Sequence, residues 1–185
     1  EAAYHAESGD PEDARRCFAA LAAHDFADIP RDEHWLVTLT TLARACAPLG
    51  HTRRAAILYE MLRPFATRNV VHDLLRTYSG SVSQYLGLLA QAMGKLGQAA
   101  THFEDALAMN TRIGGRPFLV RSQFEFARML VERGRSADRR RATALLDQVL
   151  ASAEGLGLVE AKRKALALRQ RAAGRPAGAA RRRAR

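Results

Sequence analysis

The chain has 185 residues, 48% hydrophobic and 26% charged, which suits one ordinary globular domain or a short array of repeats able to bury a core. Cys17 and Cys46 are its only cysteines and have no partner at metal-binding spacing, so neither a disulfide framework nor a zinc site is indicated. No apolar run approaches the roughly 20 residues that span a bilayer, and Glu1 to His5 lack a basic-then-apolar export signal, which predicts a cytoplasmic protein with no membrane partner.

In chain order, Glu1 is not a methionine and Ala2 to Glu7 reads as a helix entered partway along, so a piece of a longer chain is expected. Asp10-Pro11-Glu12-Asp13 is a helix start, with Asp10 as cap, Pro11 at the first helical position and acids at the positive end of the dipole; the helix runs to about His24. Asp32 caps the next helix, which carries Trp35, Leu36, Leu39, Leu42, Ala43 and Cys46 at helical spacing and stops near Pro48-Leu49-Gly50. Further helices are predicted over 52–66, 80–93, 96–110, 117–133, 138–154 and 158–172. Residues 67–79 are read as a connector holding a short helix from Val71 to Thr77. Ser79, Ser81 and Ser83 suit capping of the helix that follows. Asn110 to Pro117 joins two hairpins through paired glycines and a helix-starting proline, and Gly155 or Gly157 ends a helix in the left-handed conformation.

The net charge of +10 is unevenly placed. After Glu160 there is no acidic residue, while Lys162, Arg163, Lys164, Arg169, Arg171, Arg175, Arg181, Arg182, Arg183 and Arg185 carry the whole excess; the other 19 basic residues balance the 19 acidic ones. Residues 173–185 are read as a basic, disordered tail whose contact with nucleic acid or acidic lipid would rest on charge alone, and nucleic-acid binding through the basic last helix and this tail is the alternative function.

The turns repeat. Gly9…Ala14…Phe18…Leu21, Gly50…Ala55…Tyr59…Leu62 and Gly94…Ala99…Phe103…Ala106 share one spacing, and Gly134…Ala142…Leu146…Val149 needs three extra turn residues. The small residues are 41, 44 and 43 positions apart. A small residue lets two antiparallel helices approach and the aromatic fills the gap to the next pair, so stacked hairpins bury what one hairpin cannot.

This spacing resembles the tetratricopeptide repeat, most clearly in Leu86-Gly87…Ala90…Gly94…Ala99…Phe103…Ala106, although Ala90 departs from the family's aromatic and the period exceeds the standard 34 residues. Pro30 to Leu36, Ala56 to Pro64, Gly80 to Gly87 and the stretch from His102-Phe103-Glu104 to Gly115-Arg116-Pro117 look like the TPR-type C-terminal region of large bacterial regulatory ATPases of the AAA or STAND kind, linked to cyclase or DNA-binding output domains. The resemblance implies an all-α fold: antiparallel hairpins at about 1–24, 32–66, 80–110 and 117–154, stacked as a right-handed superhelix and capped by helix 158–172. It also implies a regulatory, protein-binding role.

Nothing catalytic stands out. A phosphate loop of the form G-x-x-x-x-G-K-[ST] does not occur. None of the six histidines lies three or four residues from another, Gly155-Leu156-Gly157 follows a helix where a dinucleotide loop follows a strand, and no serine sits in a nucleophile-elbow frame. No cofactor is expected. In the repeat family the first helix of each hairpin lines a concave groove, which places Thr40, Arg44, Ser81, Gln84, Leu88, Gln91, Arg121, Phe124 and Arg128 as candidate partner contacts. The arginines would pair with a carboxylate and Phe124 would anchor an apolar side chain. The only asparagines, Asn69 and Asn110, lie outside those positions, which disfavours the clamp that some TPRs place on a terminal carboxylate. The partner would be a protein or peptide, including another domain of the parent chain, or a small-molecule effector.

Overall fold

The computed structural model describes residues 16, 18–72 and 77–174. The N-terminal helix start at Asp10, the first repeat's Gly9 and Ala14, Cys17 and the tail beyond Gly174 lie outside the described residues. By internal contacts the chain forms two units, Glu1–Asp105 and Ala106–Arg185.

The described residues are mostly helical. Unit 1 holds α1 (Trp35–Leu49), α2 (Thr52–Leu62), α3 (Val82–Ala92) and the first part of α4 (Leu96–Ile113), with a helical stretch at 18–21 and short 3-10 turns at Ala23–Phe26 and Arg63–Phe65. Unit 2 holds the remainder of α4, then α5 (Arg116–Arg133), α6 (Ser136–Gly155) and α7 (Val159–Gly174).

The three described copies of the repeat pattern share one local structure. Gly50, Gly94 and Gly134 have φ of 69°, 73° and 72°. That left-handed backbone costs a glycine nothing and closes the preceding helix. Ala55, Ala99 and Ala142 are fully buried, as are Leu62, Ala106 and Val149, and Tyr59, Phe103 and Leu146 are buried between them. Burying a ring such as Phe103 contributes about 2–3 kcal/mol. The first copy departs: Phe18 is buried, but Leu21 is 49% exposed.

The connector is not helical. Asn69–His72 and Thr77–Ser81 form an antiparallel two-stranded sheet, β1 and β2, with Val71 opposite Tyr78 and a bulge between Asn69 and Val71. A helix from Val71 to Thr77 is thereby excluded. Val70-Val71 and Thr77-Tyr78 are β-branched and aromatic residues, which lose side-chain freedom in a helix and fit a pleated ladder. The hairpin is tied to its surroundings: the Val82 amide donates to the Arg68 carbonyl at 3.0 Å, the Ser83 hydroxyl to the Ala66 carbonyl at 2.8 Å and the Tyr85 hydroxyl to the Ser79 carbonyl at 2.7 Å.

In unit 1, α1 packs on α2, α3 and β1, and α2 packs on α3. Every residue of α3 from Val82 to Ala90 is buried. A helix apolar on nearly all sides belongs at the centre of its unit. Ser81 caps it, accepting the Ser83 amide at 3.2 Å. In unit 2, α6 packs between α5 and α7. Ala142, Leu145, Leu146, Val149 and Ala153 of α6 supply its inner stripe, and Ala165, Leu168 and Ala172 that of α7. The amide of buried Asn110 donates to the Ser122 hydroxyl at 2.9 Å and to the Phe118 carbonyl at 3.3 Å, which fixes the link from α4 to α5. Arg133 forks onto Asp138 at 2.6 and 2.7 Å across the link from α5 to α6. No helix among the described residues is long and apolar enough to cross a membrane.

Candidate functional site

α2 has two faces. Ala55, Leu58, Tyr59 and Leu62 point inward, one helical turn apart, while Ala56, Ile57, Glu60 and Met61 occupy the flank that stays partly open. The flank does not close over because Pro64 ends the helix: it sits in the 3-10 turn Arg63–Phe65 and carries Phe65 back toward the start of α1. There the Phe65 and Trp35 rings meet edge to face, with centroids 5.5 Å apart. The result is a cleft of about 880 Å³, lined by Trp35, Ile57, Met61 and Phe65 and rimmed by Arg31, Asp32 and Glu60.

The rim is already engaged in local contacts. The Arg31 guanidinium lies 5.4 Å from the Trp35 ring centre, showing that the open face of the indole accepts a cation. Asp32 accepts the His34 amide at 2.9 Å just ahead of α1, and Glu60 pairs with Arg63 at 3.0 Å. Both carboxylates remain exposed residues, so each keeps capacity for a further donor.

Four of the residues anticipated as a concave partner face are covered. Thr40, Ser81, Gln84 and Leu88 are buried inside unit 1, because α3 is covered along its length and Thr40 turns its hydroxyl onto the Val37 carbonyl at 3.0 Å. They present nothing to a partner. Arg44 and Gln91 are half-buried. In unit 2, Arg121, Phe124 and Arg128 do share one flank of α5, but Arg128 is held by Glu125 at 2.8 Å and Glu132 at 3.1 Å, and Arg121 lies over Phe118 at 5.8 Å. That flank is electrostatically satisfied within its own helix. Sequence spacing assigned Trp35 to the core stripe of α1 and missed its open side; a lone tryptophan followed at a distance by Pro64-Phe65 was the available signal.

Elsewhere in unit 1 the Tyr59 hydroxyl and His102 Nε2 are 2.8 Å apart, and His102 Nδ1 is buried with no hydrogen-bond partner among the described residues. Burial holds the imidazole below its ordinary pKa, against the nearby Asp105 charge, which raises it. Burial also lifts the Cys46 thiol to about 11. Among the described residues no three His, Cys, Asp or Glu side chains converge as metal ligands would.

Set against family models, curated proteins and solved structures, the chain finds no match in any of the three. Its functional reading therefore rests on the cleft itself.

Proposed function

We propose that the chain is a non-catalytic protein-interaction module, the helical-repeat regulatory end of a larger bacterial signalling or transcriptional-regulator ATPase. The interaction half is carried by one observation, the open Trp35–Phe65 cleft. The parent context is supported by the sequence resemblance.

A cleft of about 880 Å³ with a mostly apolar lining is of a size that takes large side chains from a partner segment. Aromatic anchors in such a setting supply most of an interface's energy. The exposed carboxylates of Asp32 and Glu60 beside an indole that already attracts a guanidinium select the rest. The occupant is a peptide segment of a protein partner that carries a bulky apolar side chain and a lysine or arginine within a turn of it.

Trp35 is the only tryptophan, so its fluorescence reports the cleft directly. A peptide array varying the apolar and basic positions should yield sequences that shift Trp35 emission. Glu60→Gln should weaken binding about threefold to tenfold and Trp35→Ala should abolish it, the latter read by calorimetry. Peptides that bind equally well to Trp35→Ala, or an array with no binder, would remove the proposal. Saturable occupation by small metabolites with no peptide binding would replace it with the effector reading.

A further inference from the structure

Arg31 is the one cation lining the Trp35 cleft among the described residues, and it shares that lining with two carboxylates, Asp32 and Glu60. It pairs with neither. Glu60 is matched with Arg63 at 3.0 Å, and Asp32 accepts the His34 amide at 2.9 Å. Among the described residues Arg31 makes no ion pair and no hydrogen bond, and its guanidinium rests instead over the Trp35 ring, 5.4 Å from the centre. The side chain of Arg31 is exposed, whereas the indole beneath it is only partly so.

The backbone lets this contact open at little cost. Arg31 follows Pro30 in the irregular stretch between the 3-10 turn Ala23–Phe26 and α1. The loop is pinned from the next residue onward, where the Asp32 carbonyl accepts the Trp35 amide at 3.1 Å. Arg31 can therefore swing off the ring without breaking a helical bond. A cation over an exposed aromatic face is held by a factor of only about two to five.

We infer that Arg31 is a built-in competitor for the cationic subsite of the cleft, and that the partner residue which displaces it is an arginine, not a lysine. The inference rests on the reading of the cleft as a peptide site. The ring already holds a guanidinium, which is planar, weakly hydrated and able to stack; an ammonium is compact and strongly hydrated and gains less on the same face. A partner arginine brings what Arg31 lacks. It arrives tethered to an apolar side chain that fills the space beside Ile57, Met61 and Phe65, and its fork can use the remaining acceptor capacity of Asp32 and Glu60. A merely basic segment, with no apolar anchor, would exchange one cation for another at no gain. Arg31 thus rejects such segments and sets the threshold for entry.

Two readouts on the full chain test it. Without any peptide, acrylamide quenching of Trp35 emission should rise in Arg31→Ala, since the ring face is uncovered. With a peptide carrying a bulky apolar side chain and an arginine, calorimetry should show Arg31→Ala binding about twofold to fivefold tighter than the native chain, at about 0.1 M and about 0.5 M salt alike. The same peptide with lysine in place of arginine should bind the native chain about twofold to fivefold more weakly. Arg31 is exposed and outside any helix, so thermal melting should show an intact fold. Unchanged quenching, no tightening in Arg31→Ala, or equal affinity for the lysine peptide would overturn the inference while leaving the cleft a peptide site. Tightening confined to low salt would assign the effect to through-space charge and overturn it as well. A peptide array with no binder would remove the peptide reading itself, and this inference with it.

Discussion

A Cβ on Gly87 of α3 would sit 2.9 Å from the Phe103 ring of α4. The two residues occupy the small and large positions of the clearest repeat copy, and the ring is fully buried. Helix propensity alone favours Gly87→Ala by about 1 kcal/mol. The contact reverses the sign, because overpacking a closed site costs about 1–3 kcal/mol. Urea unfolding should show Gly87→Ala destabilised by roughly 1 kcal/mol net. In a Phe103→Leu background the same alanine should stabilise, since the clash is gone and the propensity gain remains. A destabilising alanine in both backgrounds would mean that the ring is not what excludes the side chain.

The half-buried His102 predicts a pH dependence of known sign. Its pKa is lowered in the folded chain by burial, so the unfolded chain binds the proton more readily. Its contribution is complete above the ordinary value of 6.5 and is lost as pH falls from there through the lower folded value. Tyr59 faces the ring as a neutral hydroxyl and Asp105 opposes the shift without cancelling it. His24 acts the other way: its hydrogen bond to Asp28 raises its pKa, so its contribution is present at low pH and fades as pH rises through the raised value. Chemical denaturation between about pH 5 and 7.5 should therefore show His102→Gln flattening the loss of stability on acidification. An unchanged slope in that variant would assign the dependence to other groups.

Much of the architecture was legible because helix hairpins are locally encoded. Gly50, Gly94 and Gly134 mark turns by a backbone need that other residues meet at a cost, and the buried alanines sit at fixed spacing behind two of them. The two-stranded sheet was missed for a physical reason: Asn69–His72 and Thr77–Ser81 are too short for alternation to register, and each depends on the other for its pairing. The site was less legible still. Repeat register tells which side of a helix meets its neighbour, but Thr40, Ser81 and Gln84 are covered by elements distant in sequence. The Trp35 cleft arises from the meeting of a loop, a helix flank and the turn after Pro64, which no single periodic pattern contains.

Arg133 and Asp138 join α5 to α6 through two short bonds with little solvent around either side chain. Removing one partner leaves the other charge enclosed, so Arg133→Ala should cost about 2–4 kcal/mol and Arg133→Lys, which keeps the charge but not the fork, about 1 kcal/mol. Asp138 is held below its ordinary pKa of 3.8, chiefly by the Arg133 hydrogen bond. Its contribution is complete above that value and is lost as pH falls through the lower folded value. Thermal melts of the variants should draw together as pH falls from about 7 to below 3.8 and through the lower folded value. A difference that persists there would show that packing of the arginine stem, and not the ion pair, holds the link.

Cys46 should be inert while the chain is folded. It is fully buried in α1, its thiol lies 3.8 Å from the His51 carbonyl as a weak donor, and burial raises its pKa to about 11 despite the nearby Arg54 charge. At pH 8 the thiolate is then present at roughly one part in a thousand, and no reagent reaches it without an opening of α1 against α2 and α3. In a Cys17→Ser background, reaction with a chromogenic disulfide reagent should run at least about a hundredfold slower than with a free thiol and become complete in denaturant. The native rate should rise in Gly87→Ala, because destabilising α3 raises the population of the open state of unit 1. Labelling as fast as a free thiol in the native chain would contradict the packing of α1, since neither the burial nor the raised pKa would then hold.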